Sequence, residues 1–132
     1  MPNPAIKLYI VDDEASIRTA LARLARSAKM EARTFESVEE FVRSDFSDEN
    51  ACVIADVQFA GKSGLDLPVL LGRAGHMLPV IFVTAHDTPE TRDLAHRYGA
   101  AGYFRKPVDD QALLDAIAWA LGRNADGARP LT

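Results

Sequence analysis

The sequence predicts an α/β fold in which helices cover both faces of one parallel five-stranded sheet. Segments rich in apolar β-formers alternate with amphipathic segments, five of each in strict order, and this alternation is typical of parallel sheets built from βαβ units. The runs at 51–55 (ACVIA) and 80–83 (VIFV) are apolar throughout, as expected of strands buried on both faces. We therefore expect a doubly wound sheet with strand order 2-1-3-4-5.

Length, charge and cysteine content limit the class of protein. The 132 residues make one ordinary domain. With 15 basic and 19 acidic residues the net charge is −4, which disfavours direct binding of nucleic acid. The single cysteine, Cys52, excludes an internal disulfide, and the apolar runs are far shorter than the ~20 residues that a membrane helix needs. We therefore expect a cytoplasmic domain that does not associate with a membrane.

The first part of the chain contains two strands and two helices. An apolar segment at 6–11 predicts the first strand, and apolar residues at helical spacing predict a helix over 14–28. The alternation of polar and apolar residues at 30–35 is typical of an edge strand. Ser37 and Glu40 have the spacing of a capping box, which predicts the start of a short second helix.

The two middle helices are marked by prolines near their starts. A helix is expected over 65–73, because Pro68 falls in the first turn, where proline is tolerated. Thr88 and Pro89 predict the start of the fourth helix, which we expect to stop at Gly99.

A short strand and a helix complete the domain. Residues 102–105 (GYFR) predict the fifth strand, and Asp109 is expected to cap the final helix. From 124 onward the chain is polar. We therefore place the domain at 1–122 and a C-terminal tail, or the start of an interdomain linker, at 123–132.

Polar side chains stand at the ends of four predicted strands. Asp12 and Asp13 follow the first strand, Asp56 and Thr84 end the third and fourth, and Lys106 follows the fifth. Parallel sheets of this kind bind ligands beyond the carboxyl ends of their strands. Three carboxylates brought together there would repel one another and raise their own pKa values. A hard divalent cation such as Mg²⁺, which prefers oxygen ligands, would relieve that repulsion.

Each of these residues also has a simpler interpretation. Asp12 or Asp13 could serve only as a helix N-cap, Thr84 could be structural, and Lys106 could be solvated. Asp56 is harder to explain in this way, because it interrupts an apolar run where an ionised carboxylate is costly unless paired or metal-bound. The occurrence of all of them at strand ends favours a functional site.

With these residues in their sequence context, the chain resembles the receiver domain of two-component response regulators, including receivers of the FixJ type. The resemblance covers about residues 5–122 and implies a flavodoxin-like (βα)5 fold. The motifs that carry it are VDDE at 11–14, IADV at 54–57, VTA at 83–85 and GAAGYFRKP at 99–107.

The resemblance implies a phosphoacceptor site. Asp56 would accept a phosphoryl group as an acyl phosphate, supplied by a histidine kinase or phosphotransferase. Asp13, Asp12 (partly through water), Asp56 and the backbone carbonyl of Gln58 would hold Mg²⁺ (or Mn²⁺). The domain would then be a signalling domain and not an enzyme, although it takes part in its own Mg-dependent phosphorylation and dephosphorylation.

The resemblance also implies a conformational switch. Lys106 would pair with the phosphoryl group and Thr84 would hydrogen-bond it, while Tyr103 would turn inward when Thr84 moves. The Lys106–Pro107 peptide bond would be cis, which an X-Pro bond permits at about 1 kcal/mol. His86, two residues beyond Thr84, and Gln58 would tune the lifetime of the acyl phosphate. Simple solvation of both side chains is an equally open interpretation.

The sequence departs from the family pattern after the acceptor. Ala60 stands where a proline is usual, and Gly61 adds backbone freedom, so we expect a more mobile loop between the third strand and third helix. Phe59 in that loop is expected to cover the turn, in preference to anchoring a partner.

The resemblance also implies partner surfaces, because many receivers dimerise or dock their output through the face made by helix 4, strand 5 and helix 5. This face carries mixed charges, which fit a phosphorylation-dependent homodimer and fit an ordinary solvated surface equally well. Helix 1 carries Arg18, Arg23 and Arg26 on what is the usual kinase-docking side of receivers. The output partner would be a separate protein or a covalently attached domain.

Three other classes of protein are less compatible with the sequence. A phosphatase of the haloacid-dehalogenase type needs a carboxylate two residues after its nucleophile, where this chain has Gln58. A pseudo-receiver used only for binding would usually lack the acceptor or the acidic pair. A flavodoxin-like cofactor binder would need a phosphate loop after the first strand, where the acidic run at 12–14 stands instead.

Overall fold

A five-stranded parallel sheet forms the centre of the computed structural model, which describes residues 5–59 and 62–126. Its strands are β1 (Lys7–Val11), β2 (Glu31–Phe35), β3 (Ala51–Ala55), β6 (Val80–Thr84) and β7 (Gly102–Arg105). Their order in the sheet is β2-β1-β3-β6-β7, which is the predicted 2-1-3-4-5 order, since β6 and β7 are the fourth and fifth strands of this sheet. Two further strands, β4 (Gln58–Phe59) and β5 (Lys62–Ser63), form a separate antiparallel pair.

The helices are α1 (Ala15–Ser27), α2 (Val38–Arg43), α3 (Leu67–Arg73), α4 (Pro89–Arg97) and α5 (Asp110–Asp126). Three of them, α2, α4 and α5, begin directly after residues that the sequence marks as caps, whereas α1 and α3 begin without a side-chain cap. The side chains of Ser37, Thr88 and Asp109 each accept a hydrogen bond from the backbone N–H three residues further on. Gly99, with φ of +92°, follows the end of α4 in the left-handed region that glycine adopts readily.

The core consists of two layers, one on each face of the sheet. Because side chains alternate along a strand, β1 directs Tyr9 into one layer and Ile10 into the other. The first layer packs β1, β3 and β6 against α2, α3 and α4, and the second packs the same strands against α1 and α5. Both faces of the central strands are therefore buried, as the apolar runs predict.

The segment after β3 differs from the predicted strict alternation of strands and helices. Gln58 pairs with Ser63, and Phe59 with Lys62, across the antiparallel pair. Ala60 and Gly61, on which the expected loop mobility depends, lie outside the described residues. Phe59 is buried in the first core layer, which agrees with a side chain that covers the turn.

The last helix is longer than the sequence analysis predicts. Helix α5 continues to Asp126, four residues into the segment assigned to the tail, and 122–126 contains no proline, the residue that interrupts a helix most strongly. The rest of the predicted tail, 127–132, lies outside the described residues. Within 5–59 and 62–126, no helix is both long enough and apolar enough to cross a bilayer.

Candidate functional site

Register brings the predicted site residues to one edge of the sheet. Val11 lies opposite Ala55 in the β1–β3 ladder, so Asp12 and Asp56 leave neighbouring strands side by side. The backbone N–H of Asp56 also donates to the carbonyl of Val11 at 3.2 Å. Thr84 ends β6 opposite Arg105 in the ladder to β7, which places Lys106 at the same edge.

Lys106 bridges the two buried carboxylates. Its Nζ lies 2.9 Å from Asp56 Oδ2 and 3.0 Å from Asp12 Oδ2, and only 4% of Asp56 and 3% of Asp12 are exposed. The second oxygen of each carboxylate accepts a backbone N–H, from Gln58 for Asp56 and from Glu14 for Asp12. Both anions are therefore held by directed hydrogen bonds, which buried charges require.

Burial and pairing shift the pKa values of this cluster in opposing ways. Burial raises the pKa of Asp12, and this effect exceeds the stabilisation of its charge by the Glu14 N–H and by Lys106. Burial also disfavours the Lys106 ammonium, but hydrogen bonds to Asp56 and Asp12 outweigh it, so the pKa of Lys106 is raised. The lysine therefore stays charged across the physiological range.

Thr84 is fully buried and is tied to the loop that follows it. Its Oγ1 accepts a hydrogen bond from the backbone N–H of His86 at 2.9 Å. The His86 side chain itself is exposed, as is that of Gln58 on the other side of the site. The peptide bond between Lys106 and Pro107 is cis.

Tyr103 on β7 is half-buried and bound through its hydroxyl group. The hydroxyl donates to Asp87 Oδ1 at 3.1 Å, and the guanidinium of Arg92 lies 5.0 Å from the centre of the Tyr103 ring. Burial and the bond to Asp87 raise the pKa of Tyr103 to about 12. Asp87 was not among the predicted site residues, and its only signal in the sequence is its position three residues after Thr84.

The chain matches a known protein family over most of its length. Residues 8–118 match the response regulator receiver domain family. The chain belongs to this family. The predicted fold and the predicted function as a receiver domain are thereby confirmed.

Curated relatives of this receiver domain are transcriptional and nodulation regulators. The chain is 39% identical to the transcriptional regulatory protein TdiR of Thauera aromatica, over 94% of this chain and 55% of the relative. It is 36% identical to nodulation protein W of Bradyrhizobium diazoefficiens, over 89% and 52%. FixJ of Azorhizobium caulinodans is 30% identical, over 95% and 59%. The chain thus spans little more than half the length of these relatives.

Solved structures share the architecture. The response regulator StyR superposes with a TM-score of 0.80 at 36% identity, covering 94% of this chain and 63% of that one. The N-terminal part of FixJ also gives a TM-score of 0.80, at 25% identity, covering 98% and 100%.

The receiver domain presents a group of carboxylates suited to a hard cation. One oxygen from each of Asp12, Glu14 and Asp56 lies within 4.8 Å of the others, and oxygen donors of this kind are what Mg²⁺ prefers. Glu14 was not a predicted ligand, although its acidic side chain directly follows the predicted pair. Asp13 is exposed and does not belong to this group of three.

Proposed function

We propose that this receiver domain accepts a phosphoryl group on Asp56 from a histidine kinase or a phosphotransferase. The observation that carries the proposal is the buried Asp56 carboxylate at the carboxyl edge of the sheet, paired with Lys106 and adjacent to further carboxylates. Buried carboxylates in such surroundings are candidates for nucleophiles.

In the proposed transfer, an oxygen of Asp56 attacks the phosphorus atom of the donor. A new bond forms between that oxygen and phosphorus as the bond from phosphorus to the donor breaks, and the donor leaves with the electron pair. The phosphoryl oxygens carry the charge in the transition state. The Lys106 ammonium, 2.9 Å from Asp56, is placed to move its hydrogen bond from the carboxylate to a phosphoryl oxygen.

The residues present fit a divalent cation, Mg²⁺ (or Mn²⁺). Asp12, Asp13, Asp56 and the Gln58 carbonyl are the proposed ligands, and Glu14 adds a further carboxylate beside Asp12 and Asp56. A bound cation would neutralise charge on the phosphoryl oxygens.

The proposed switch begins at Thr84. Its hydroxyl group, which accepts from the His86 N–H, would turn to the phosphoryl oxygens, and Tyr103 would then change orientation. Gln58 and His86, which are exposed and lie two residues beyond Asp56 and Thr84, would influence access of water to the acyl phosphate.

Two surfaces are proposed for partners. A groove of about 330 Å³ between α1 and the start of α5 is lined by Ile17, Leu21, Leu24, Pro107 and Val108, among others, and it adjoins Lys106, so a kinase or phosphotransferase docked there would reach the acceptor. A homodimer would form through α4, β7 and α5. We propose a cytoplasmic location and an output domain or separate partner that the phosphorylated form controls.

Intact-protein mass after incubation with Mg²⁺ and acetyl phosphate tests the acceptor. We expect one added phosphoryl group in the wild-type protein and none in Asp56→Asn. No adduct in the folded wild-type protein, either with acetyl phosphate or with a phosphorylated phosphotransferase domain, would overturn the function. An adduct that persists in Asp56→Asn would overturn the choice of residue.

A further inference from the structure

Asp87 connects the loop after β6 to two other elements of the receiver domain. Its Oδ2 accepts a hydrogen bond from Arg92 on α4 at 2.8 Å, and its Oδ1 accepts one from the Tyr103 hydroxyl on β7 at 3.1 Å. The Arg92 guanidinium also lies over the Tyr103 ring, at 5.0 Å from its centre. The three side chains therefore close a triangle of mutual contacts, which we call the Asp87 latch.

We propose that Asp87, oriented by Arg92, is a positioning residue that holds Tyr103 in its resting orientation and so opposes the response to phosphorylation. The inference rests on the proposed function, because it assigns a regulatory role within the same switch. It adds two residues, Asp87 and Arg92, to the predicted pair of Thr84 and Tyr103.

The charges of the latch suit this role. The Asp87 side chain is only 16% exposed, and each of its two carboxylate oxygens accepts a hydrogen bond, one from Arg92 and the other from Tyr103. The hydrogen bond from Arg92, followed by that from Tyr103, holds the pKa of Asp87 below its usual value. Asp87 is therefore an anion at neutral pH, and a hydrogen bond to an anion is stronger than a neutral one. The contact of a guanidinium with an aromatic face adds a further attraction.

A short covalent path links the latch to the phosphoryl site. Asp87 lies three residues beyond Thr84, and the loop between them is tied to Thr84 by the bond from the His86 N–H to Oγ1. A movement of the Thr84 hydroxyl towards Asp56 strains or breaks this bond and displaces the loop that carries Asp87. The Tyr103 hydroxyl then loses its acceptor, so the ring becomes free to turn.

If the latch opposes activation, its effect can be measured as a change in the affinity of the phosphoryl site for a phosphoryl mimic. If the resting state contains the latch and the activated state lacks it, a substitution that breaks the latch shifts the equilibrium towards the activated state before any mimic binds. By linkage, the affinity for a phosphoryl mimic must rise by the same factor. A side chain with a purely structural role would lower the stability of the fold without raising this affinity.

The first test measures binding of beryllium trifluoride in the presence of Mg²⁺, by NMR of the labelled protein. We expect Asp87→Ala to bind this mimic about fivefold more tightly than wild type, at the lower end of common coupling strengths, and Arg92→Ala to change affinity in the same direction. The control is Asp45→Asn, which breaks the exposed pair of Asp45 with Arg33 outside α4, β7 and α5 and should leave the affinity unchanged. Equal or weaker binding by Asp87→Ala would overturn the coupling.

A double-mutant cycle tests whether Asp87 acts through Tyr103. Tyr103→Phe removes the hydroxyl that Asp87 holds, so Asp87→Ala should change affinity for the mimic much less in the Tyr103→Phe background than in wild type. Fully additive effects would show that Asp87 acts by another route and would overturn its role as a positioning residue.

The last test needs no phosphoryl group and separates the latch from the proposed function. With tyrosine carrying ¹³C at the ring carbon bound to oxygen, NMR follows the ionisation of Tyr103 in the unphosphorylated protein. We expect its pKa, about 12 in wild type, to fall towards the usual value near 10 in Asp87→Ala. An unchanged pKa would overturn the latch alone. Failure of wild-type protein to bind the mimic at all would overturn the proposed function, and with it the coupling.

Discussion

Asp12 shows how a single residue of the site works against the stability of the fold. Its carboxylate is almost completely buried, and burial raises its pKa above the usual value of an aspartate. The folded state therefore holds the proton of Asp12 more tightly than the unfolded state does. By linkage, the free energy of unfolding falls as pH rises from below the unfolded pKa of 3.8 through the raised folded pKa.

We predict that Asp12→Asn stabilises the metal-free protein at pH 7. Asparagine keeps the oxygen that accepts the Glu14 N–H and removes the buried charge. It loses the oxygen that accepts from Lys106, but Lys106 keeps its hydrogen bond to Asp56, and we expect a net gain of about 0.5–2 kcal/mol. The gain should shrink towards pH 4, because the raised pKa lets the wild-type carboxyl take up a proton more readily than a free aspartate does. Urea denaturation with a chelator at both pH values measures it.

The control for this prediction is Asp13→Asn. It removes a neighbouring carboxylate that is exposed, so we expect a much smaller change. The prediction would be contradicted if Asp12→Asn did not raise the free energy of unfolding at pH 7, or if it raised it equally at pH 7 and pH 4.

At the scale of elements, the turn from β5 into α3 depends on one glycine. A Cβ placed on Gly64 would lie 2.7 Å from the Phe59 ring and 2.9 Å from the backbone carbonyl oxygen of Asp56. The Phe59 ring is buried in the core and the carbonyl belongs to the proposed acceptor residue, so neither can move without disturbing the core or the site. The absence of a side chain at Gly64 thus allows the turn to close over Asp56.

We predict that Gly64→Ala destabilises the domain by about 1–3 kcal/mol, the usual range for overpacking, and slows phosphorylation by acetyl phosphate. The matched control is Gly72→Ala within α3, where an added Cβ meets no atom within 4 Å. That variant should gain about 0.5–1 kcal/mol from helix propensity. Thermal unfolding and mass spectrometry measure both quantities, and equal stability of the two variants would contradict the prediction.

At the scale of the whole molecule, the site connects strands that belong to both core layers. Asp12 extends β1, Asp56 extends β3 and Lys106 extends β7. A cation held by carboxylates from different strands binds only the folded chain, and a ligand of that kind raises the free energy of unfolding.

We predict that Mg²⁺ stabilises the domain by about 2.7 kcal/mol at a free concentration of about 100 times its Kd. Asp56→Asn and Asp13→Asn should lose most of this increment, and Glu14→Gln should lose little. Urea denaturation at several Mg²⁺ concentrations measures the increment. A larger loss in Glu14→Gln than in Asp13→Asn would transfer the role of ligand from Asp13 to Glu14.

The sequence by itself determined the alternation of strands and helices and the residues that stand at the carboxyl ends of the strands. Apolar runs and capping residues such as Ser37 and Thr88 act over a few residues of chain, and parallel strands deliver Asp12, Asp56 and Lys106 to one edge whatever the loops do. These features do not depend on contacts between distant parts of the chain, so the sequence is sufficient to predict them.

Only the tertiary structure decided which side chains touch. Glu14 joins the carboxylate group in place of Asp13 because the directions of neighbouring side chains depend on how the chain leaves β1. The contact of Asp87 with Tyr103 joins residues that are 16 positions apart in the chain. The residues next to Asp87 in the sequence indicate neither which side chain it contacts nor the geometry of that contact. Such contacts depend on the packing of β6, α4 and β7 against one another, which the fold alone brings about.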